Sequence, residues 1–317
     1  MGPSPWDHGS LEMTDDHMPP HSKSDHISVC ICTYKRPDML ARTLERAISQ
    51  VTEDKFSFEV IVVDNDSMRS AEAVVKGFQE KSDYKILYEC EPEQNIALAR
   101  NRAVDNAHGS LIAFIDDDEI PDKYWLLNLY QTMLRFGTDG VLGPVLPHYH
   151  PETPGWVIRG GFYKRPSHVT GSELAWQQTR TGNVLLSKNI FANEDNRFRA
   201  EFGRGGEDRD FFRRMIGKGF RFVWCAEAPV YEDVPHDRCT RSFMLRRALV
   251  RGTHPHFTAK DYLKSLIAIP LYVSFLPFSF FAGQHNFMKI LIKTFDHFSR
   301  LSALAGFEFV QERYVQK

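Results

Sequence analysis

An apolar strand that runs directly into three aspartates is the feature that most restricts how this chain can fold. Residues 111–115 are all apolar, which is typical of a central strand buried on both faces of a parallel sheet. Asp116, Asp117 and Asp118 follow where that strand would leave the sheet, at the edge where open α/β sheets bind ligands. Because adjacent like charges need a compensating cation, the pattern predicts a Mn²⁺ or Mg²⁺ site that bridges to substrate phosphates.

A simpler interpretation is an acidic loop that caps the following helix, with Pro121 in the first helical turn. A helix cap needs one carboxylate rather than three, and the preceding strand is fully apolar. These two points favour the metal site and keep the cap as the alternative.

The first half of the chain alternates predicted strands with predicted helices. Strands are predicted near residues 27–33, 58–63, 85–89, 111–116 and 141–146, and helices near 39–50, 96–108 and 123–136. This alternation implies right-handed connections between parallel strands. Thr33, Asp64 and Asp116 follow or end three of these strands, so we expect them along one edge of one sheet. Neither GxGxxG nor GxxxxGK[ST] occurs after the first strand, which argues against a Rossmann dinucleotide site and a P-loop.

Charge and cysteine usage restrict the class of protein further. A net charge of −2 over 317 residues argues against a general nucleic-acid-binding protein, so no nucleic acid partner is expected. The five cysteines lack zinc-type spacing and predict buried thiols in a reducing compartment. Residues 1–25 have no apolar period and are expected to be a disordered leader.

A second acidic cluster, Glu207 and Asp208, follows a glycine-rich loop at the predicted start of a helix. Glycine lets the backbone approach a ligand closely, and a carboxylate placed there suits a general base that deprotonates a hydroxyl. Helix capping and dipole compensation by Asp208 and Asp210 are the alternative, and both roles are compatible.

Residues 238–251 are basic, and Arg247 and Arg251 share a predicted helical face. This face suits a diphosphate clamp or contact with anionic lipid headgroups. An ordinary solvated helix face is the alternative.

The C-terminal part of the chain has a strongly apolar run. Residues 265–288 contain no Lys, Arg, Asp or Glu, and Pro270 and Pro277 interrupt the run. We expect a re-entrant or interfacial membrane element rather than a clean span, followed by a surface helix that carries apolar residues at helical spacing. The apolar residues of that helix are Phe287, Leu291, Phe295 and Phe298. The alternative is a helical arm packed on the rest of the protein or in a dimer interface.

Taken together, the motifs resemble the family-2 glycosyltransferases with the GT-A fold. They occur in the family's order across roughly residues 27–250: Val29-Cys-Ile-Cys-Thr-Tyr-Lys-Arg-Pro37, Val60-Ile-Val-Val-Asp-Asn-Asp-Ser67, Asn95-Ile-Ala-Leu-Ala-Arg-Asn101, Phe114-Ile-Asp-Asp-Asp-Glu-Ile-Pro121 and Gly205-Gly-Glu-Asp208. The chain is most similar to single-addition enzymes of bacterial exopolysaccharide and surface-glycan assembly. The Gln-x-x-Arg-Trp motif of processive synthases is missing, which argues against a polymerase.

The resemblance implies an α/β GT-A nucleotide-diphospho-sugar transferase fold, with a mostly parallel central sheet flanked by helices and a C-terminal hydrophobic helical extension. It implies a catalytic domain over residues 26–257 and a membrane-associated helical segment over residues 258–317. The expected reaction is an inverting, metal-dependent sugar transfer from a nucleotide-sugar donor, UDP-linked by the family's usual preference. The expected acceptor is a glycan or a polyprenyl-linked glycan at the cytoplasmic face of the membrane.

The resemblance also implies roles for individual residues. Seven residues would line or hold the nucleotide: Thr33, Tyr34, Arg36, Asp64, Arg100, Asp116 and Asp117. Of these, Asp64 would hydrogen-bond the base. Asp118 is the expected direct metal ligand, with Asp116 as the other acid of the DxD motif. Asp208 is the expected base, with Glu207 beside it. Residues expected at the acceptor or donor sugar are Asn183, Gly206, Trp176 and Arg247.

The long aperiodic segment 147–181 is expected to be a lid or binding surface. Its aromatic and histidine side chains are expected to set acceptor choice, because aromatic faces stack on sugar rings. The residues concerned are His148, Trp156, His168 and Trp176.

Two other functions compete with sugar transfer. A sugar nucleotidyltransferase also has a β/α nucleotide domain, but it normally carries a GxGxR-type loop where this chain has Tyr34-Lys-Arg-Pro37. A non-catalytic, nucleotide- or glycan-binding membrane scaffold is the second alternative. The presence of Asp116, Asp118 and Asp208 argues against it, because a degenerate site should have lost one of these acids.

Overall fold

The computed structural model describes residues 25–203, 205–251 and 257–307. The predicted disordered leader therefore lies outside the described residues, apart from Asp25. The strands are β1 (Asp25–Thr33), β2 (Phe56–Asp64), β3 (Ile86–Cys90), β4 (Leu111–Asp116), β5 (Glu119–Pro121), β6 (Gly140–Leu142), β7 (Val145–Tyr149), β8 (Val184–Ser187), β9 (Phe222–Trp224) and β10 (Val230–Val234).

The helices alternate with these strands in the first half of the chain. They are α1 (Pro37–Ala47), α2 (Glu72–Gln79), α3 (Ile96–Asn106), α4 (Trp125–Phe136), α5 (Gly155–Gly160), α6 (Glu207–Gly217), α7 (Arg241–Arg251), α8 (Ala259–Phe281) and α9 (Gln284–Leu304). The predicted strands and helices of the first half are confirmed to within a few residues, except that the predicted strand 141–146 is two strands, β6 and β7, which belong to different sheets. Pro121 ends β5 and lies before α4, so it does not open a helix as the alternative, helix-cap interpretation required.

A seven-stranded sheet forms the centre of the described part of the chain, in the order β3-β2-β1-β4-β8-β6-β9. Strands β1 to β4 are mutually parallel where they pair, while β8 runs antiparallel to both β4 and β6. A second, three-stranded sheet has the order β5-β10-β7 and begins directly after the three aspartates. The acids therefore lie where the chain passes from the large sheet to the small one.

Apolar side chains cover both faces of β4, as the sequence predicts. Ala113 and Ile115 belong to the cluster beneath α1, α2 and α4. Ile112 and Phe114 belong to the cluster on the opposite face, with side chains of α3 and α6. A strand buried on both faces is held firmly in place, so the position of Asp116 at its end is well defined.

A third apolar cluster joins the segment 147–181 to the C-terminal helices. Trp156 of α5 packs with Met244 of α7 and Met288 of α9, and Phe287 and Leu291 lie against the same cluster. The expectation that these residues of α9 face a membrane is therefore wrong. Their side chains instead bind α9 to the rest of the protein, which was the alternative interpretation of this helix.

Helix α8 is continuous over 23 residues, and neither Pro270 nor Pro277 interrupts it. It is long and apolar enough to cross a membrane, and only 11% of its apolar window is buried inside the protein. It packs against α9 and presents the remainder of its surface outward.

A buried carboxylate, Glu59, joins the first strands to the end of α3. Its oxygens accept hydrogen bonds from Ser28 Oγ and Lys85 Nζ, both at 2.8 Å, and from the His108 amide at 2.9 Å. Burial by itself raises the pKa of Glu59, but these donors outweigh it and hold the pKa at about 2. The ionised form is therefore stabilised in the folded protein.

We expect Glu59→Gln to reduce the free energy of unfolding by about 3 kcal/mol at pH 7. The folded pKa of Glu59 lies below the ordinary value of 4.5, so its contribution is fully present above pH 4.5 and is lost as the pH falls towards 2. Urea unfolding of both proteins across this pH range checks the prediction. A stability difference that stayed constant down to the lowest pH would contradict it.

Candidate active site

The carboxyl ends of β1, β2 and β4 meet at one edge of the large sheet. Thr33 is in register with Asp64 across the β1–β2 pair, and Cys32 is in register with Asp116 across the β1–β4 pair. The expectation that Thr33, Asp64 and Asp116 share this edge is confirmed. The site is built around them.

Asp117 points into the protein, which leaves the acids on either side of it accessible. Its carboxylate accepts a hydrogen bond from Thr33 Oγ1 at 2.7 Å and one from Arg36 Nη1 at 3.1 Å. The Asp117 side chain is 7% exposed, whereas those of Asp116 and Asp118 are 48% and 24% exposed. Asp117 therefore supports the turn through these bonds, and its contact with a nucleotide stays a prediction.

The accessible acids lie in a crowded negative environment. Burial and the neighbouring carboxylates of Asp116 and Asp117 raise the pKa of Asp118, and Arg36 lowers it by less, so the pKa lies at about 7. Burial and Asp116 likewise raise the pKa of Glu119, whose Oε2 accepts a hydrogen bond from the Asp116 amide at 3.2 Å. Among the described residues, the nearby cations do not balance this charge, so an added cation would be stabilised here.

The donor set fits a hard divalent cation that is held partly by its substrate. In the part of the chain that the structure describes, no three His, Cys, Asp or Glu side chains form an enclosing metal cage. Mg²⁺ needs no such cage, because it is usually bound through one or two carboxylates and substrate phosphates. Asp116 and Asp118 supply two accessible carboxylates of this kind.

A buried arginine, Arg100, connects the two acidic clusters. Its guanidinium forms an ion pair with Glu207 at the start of α6 and lies 3.5 Å from Asp116 Oδ1 at the end of β4. Burial opposes the charged form of Arg100, but Glu207 and Asp116 outweigh burial and raise its pKa. Arg100 and Glu207 are 8% and 7% exposed, so both position the site from within. A direct contact of Arg100 with the donor and a catalytic role for Glu207 stay predictions.

Asp208 stands one residue further along α6 and is partly exposed. Its helix begins after Gly205 and Gly206, whose φ values of 125° and 95° lie in the region that favours glycine. Among the described residues, nothing lies within 4 Å of a Cβ built at Gly206. Asp208 Oδ1 accepts a hydrogen bond from the Arg209 amide at 2.7 Å.

The start of α3 is fixed by a residue that the sequence analysis did not assign to the site. The Asn95 side chain caps α3 by accepting from the amides of Ala97 and Leu98, and it donates to Ala200 O at 3.0 Å. A Cβ built at Gly203 would lie 1.8 Å from Asn95 Oδ1, so this close approach requires glycine. The Asn95 cap therefore ties the helix of Arg100 to the loop that precedes Glu207.

Asn183 lies in the protein interior, and its contact with a sugar stays a prediction. Its side chain is fully buried and accepts from Trp125 Nε1 at 2.7 Å while donating to Pro144 O and Ala228 O at 2.9 and 2.8 Å. Its φ of 62° is a left-handed conformation that asparagine tolerates better than most residues.

Asp64 is also fully buried. Its carboxylate accepts hydrogen bonds from the amides of Asp66 and Ala71, at 3.1 and 2.7 Å, and from Tyr88 Oη at 3.1 Å. These bonds shape the turn after β2. A contact between Asp64 and a nucleotide base stays a prediction, as does the lining role of the half-buried Tyr34.

The segment 147–181 contributes arginines to the site, which the sequence analysis missed. Arg165 forms an ion pair with Glu232 and lies 4.0 Å from Glu119 Oε1. Glu119 and Glu232 face each other across the β5–β10 pair, so Arg165 relieves the repulsion between two opposed carboxylates. Burial and the nearby Arg165 lower the pKa of Arg180, which is also within electrostatic reach of Asp208. The signal that could have located Arg165 is the antiparallel pair of Glu119 and Glu232. This pair is recognisable only once the register of β5 and β10 is known.

The aromatic residues of the same segment have other positions. Trp156 is 7% exposed within the third apolar cluster, so the expectation that it stacks on an acceptor is wrong. Trp176 is half-buried against α6, with the Arg213 guanidinium 5.7 Å from its ring centre. Its contact with a sugar stays a prediction, as does that of the exposed Arg247 on α7.

Comparison with known proteins decides the family. The model of the family described as "Glycosyl transferase family 2" matches residues 28–192, more than half of the chain. The chain belongs to glycosyl transferase family 2. Its sheet order and the acids at the end of β4 accord with the GT-A-like α/β fold, so the predicted family and fold class are confirmed.

Several relatives of this glycosyltransferase are known. The succinoglycan biosynthesis protein ExoM of Rhizobium meliloti (strain 1021) is 38% identical over 240 residues, covering 74% of this chain and 76% of that protein. ExoW of the same organism is 33% identical over 220 residues, covering 64% and 67%. The structure of S. aureus TarS 1–349 aligns with a TM-score of 0.51 at 16% identity, over 90% of this chain and 93% of that chain.

We expect Gly203→Ala to destabilise the protein by about 2 kcal/mol, because its methyl group would displace the Asn95 side chain from the start of α3. Gly217→Ala is the matched control, since nothing lies within 4 Å of a Cβ at that helical position. Thermal unfolding of the two variants checks the prediction. Equal melting temperatures for the two variants would contradict it.

We also expect Glu207→Gln to reduce the free energy of unfolding by about 3 kcal/mol, because it leaves the buried Arg100 without its nearest carboxylate. Asp208→Asn should change stability by less than about 1 kcal/mol, since Asp208 is partly exposed and its carboxylate accepts a hydrogen bond from the Arg209 amide. Chemical denaturation separates the two variants, and a larger loss for Asp208→Asn would show that the positioning role has been assigned to the wrong acid.

Proposed function

We propose that this chain transfers a sugar from a nucleotide-diphosphate donor, UDP-linked, to a hydroxyl of a glycan or polyprenyl-linked acceptor in bacterial exopolysaccharide biosynthesis. The observation that carries the proposal is the arrangement of Asp116 and Asp118 at the end of β4 and Asp208 at the start of α6, joined through Arg100 and Glu207. Relatives named for succinoglycan biosynthesis support the pathway class. Structures of TarS in complex with UDP and UDP-GlcNAc support a UDP-linked donor.

The donor side of the site is the acidic end of β4. Asp118, with Asp116, would hold Mn²⁺ or Mg²⁺, which when bound stabilises the negative charge that develops on the leaving diphosphate. Thr33 and Arg36 hold Asp117 away from this surface and so keep Asp116 and Asp118 directed towards the donor. The positive charge of Arg36, 3.1 Å from Asp118 Oδ2, also lies beside the position of the diphosphate.

The acceptor side of the site is the start of α6. In the proposed reaction the acceptor oxygen bonds to the anomeric carbon as the bond from that carbon to the diphosphate oxygen breaks. Asp208 removes the acceptor proton, and one direct displacement inverts the anomeric centre. The buried ion pair between Arg100 and Glu207 holds Asp208 at a constant position relative to Asp116.

We further propose that the protein acts at the cytoplasmic face of a membrane, as a peripheral or monotopic protein. The outward apolar surface of α8 supports attachment, because an apolar surface of this extent is unfavourable in water. The free cysteines Cys30, Cys32, Cys90, Cys225 and Cys239 are compatible with a reducing compartment. Attachment would bring the site to acceptors that carry a polyprenyl anchor.

The test is release of nucleotide from a panel of nucleotide sugars with Mn²⁺ or Mg²⁺ and a membrane lipid extract as the source of acceptor. We expect Asp118→Asn and Asp208→Asn each to reduce turnover at least about 100-fold. The matched control is Asp83→Asn, which makes the same chemical change at an exposed surface position and should retain full turnover.

Two further readouts separate the roles of the two acids. Asp118→Asn should weaken metal-dependent binding of UDP, whereas Asp208→Asn should bind UDP normally and fail only in transfer. Proton NMR of the product should show the anomeric configuration opposite to that of the donor. Nucleotide binding without release from any donor, in the presence of acceptor-containing extract, would favour the non-catalytic scaffold instead.

A further inference from the structure

Helix α8 has one continuous apolar face that nothing in the described residues covers. Side chains more than half exposed lie along the whole helix: Leu263, Leu266, Ile267, Leu271, Phe275, Phe278, Phe280 and Phe281. Ser274 interrupts this face, but its hydroxyl donates to Leu271 O at 2.8 Å. The face therefore offers no charge and no unsatisfied side-chain donor over residues 265–281.

Helix α9 runs back along α8 from Ser265 to the tip of the hairpin, as three contacts show. At the base of the hairpin, Ser265 Oγ is 2.9 Å from His297 Nδ1. Near the middle, the Tyr272 and His297 rings are 5.7 Å apart. At the tip, the Phe280 and Phe287 rings are 5.9 Å apart. Any depth that α8 reaches in a membrane is therefore shared by α9.

Helix α9 carries charges at the depth of the apolar middle of α8. Lys293 Nζ lies 5.8 Å from the centre of the Tyr272 ring, and Asp296 forms two hydrogen bonds with Arg251 of α7, both at 3.0 Å. Lys289 is exposed one turn nearer the tip. If α8 crossed a bilayer, these charges would enter the hydrocarbon, and the Arg251–Asp296 pair would have to enter with them or break.

We propose that the α8–α9 hairpin lies along one leaflet of a membrane, with the apolar face of α8 at the acyl boundary and α9 between α8 and the catalytic domain. This inference rests on the membrane attachment proposed above and defines its geometry. The exposed Lys260 and Lys264, in the first turns of α8, lie where a surface helix meets anionic headgroups. The hairpin enters the membrane from one side and does not reach the opposite side of the bilayer.

A lipid surface fits this face better than a second copy of the chain. Protein interfaces combine an apolar centre with a polar rim that forms hydrogen bonds. The outward face of α8 lacks such a rim between Leu266 and Phe281, and its lysines are confined to the end where the helix begins. Prolines within the helix, at positions 270 and 277, are also more frequent in membrane helices than in soluble ones.

The first test is flotation of the full-length protein with vesicles of phosphatidylethanolamine and phosphatidylglycerol. The double variant Phe278→Ser/Phe281→Ser should reduce the bound fraction at least about tenfold, because both side chains leave water when the hairpin binds. The matched control is Val169→Ser, which removes a side chain that is 77% exposed outside the hairpin and should bind like the wild type. Circular dichroism verifies that all variants are folded.

The second test decides between lying on the membrane and crossing it. Ala282→Cys places a thiol at the exposed tip of the hairpin, and the protein is added to preformed vesicles that contain a trapped, membrane-impermeant maleimide. We expect no labelling, since the tip stays in the outer leaflet, and full labelling after detergent is added. Labelling from inside the intact vesicles would show that the hairpin crosses and would overturn the proposal.

Turnover of a nucleotide sugar, measured in the same preparations, keeps this proposal separate from the transferase function. Turnover by a protein that does not float with vesicles would overturn the hairpin proposal and leave the transferase standing. Flotation without turnover would support the hairpin proposal and overturn the transferase function. A wild-type dimer that the double variant converts to monomer, without vesicle binding by either protein, would show that the face binds a second copy instead.

Discussion

The buried guanidinium of Arg100 is the interaction on which the geometry of the site depends. It lies on α3 and contacts acids that are far apart in the sequence, Asp116 at the end of β4 and Glu207 at the start of α6. Glu207 alone would be unfavourable at its depth, and the buried arginine alone would be more so. Together they hold the strand and the helix at a fixed separation, and the accessible acids Asp118 and Asp208 extend from that rigid frame.

Local patterns in the sequence were sufficient to predict the central strands and the positions of the two acidic clusters. Strand β4 was recognisable because apolar residues on both faces are followed at once by acids, and the common edge of Thr33, Asp64 and Asp116 follows from parallel connectivity. The start of α6 was recognisable because its glycines adopt conformations that other residues avoid. These signals are local or depend on topology alone, so they need no knowledge of how distant side chains meet.

The individual roles of several residues depend on contacts that no local pattern encodes. Asn183 and Trp156 resemble ligand-binding residues by type. The Asn183 side chain instead forms hydrogen bonds with buried carbonyls and an indole, and Trp156 fills an apolar cluster. Asp117 cannot be distinguished from its neighbours by sequence until Thr33 and Arg36 are seen to hold it. Arg165 gains its position from a cross-strand pair of glutamates, which becomes evident only once the register of β5 and β10 is known.

The third apolar cluster has a mechanical consequence, because α5 and α9 share it. Trp156 of the segment 147–181 and Met288 of the hairpin pack in the same close-packed interior, and such interiors transmit displacement instead of absorbing it. The segment 147–181, which carries Arg165 and Arg180, therefore cannot shift independently of the C-terminal helices. In the proposed membrane attachment, the depth and tilt of the α8–α9 hairpin would therefore set the direction in which the segment 147–181 faces.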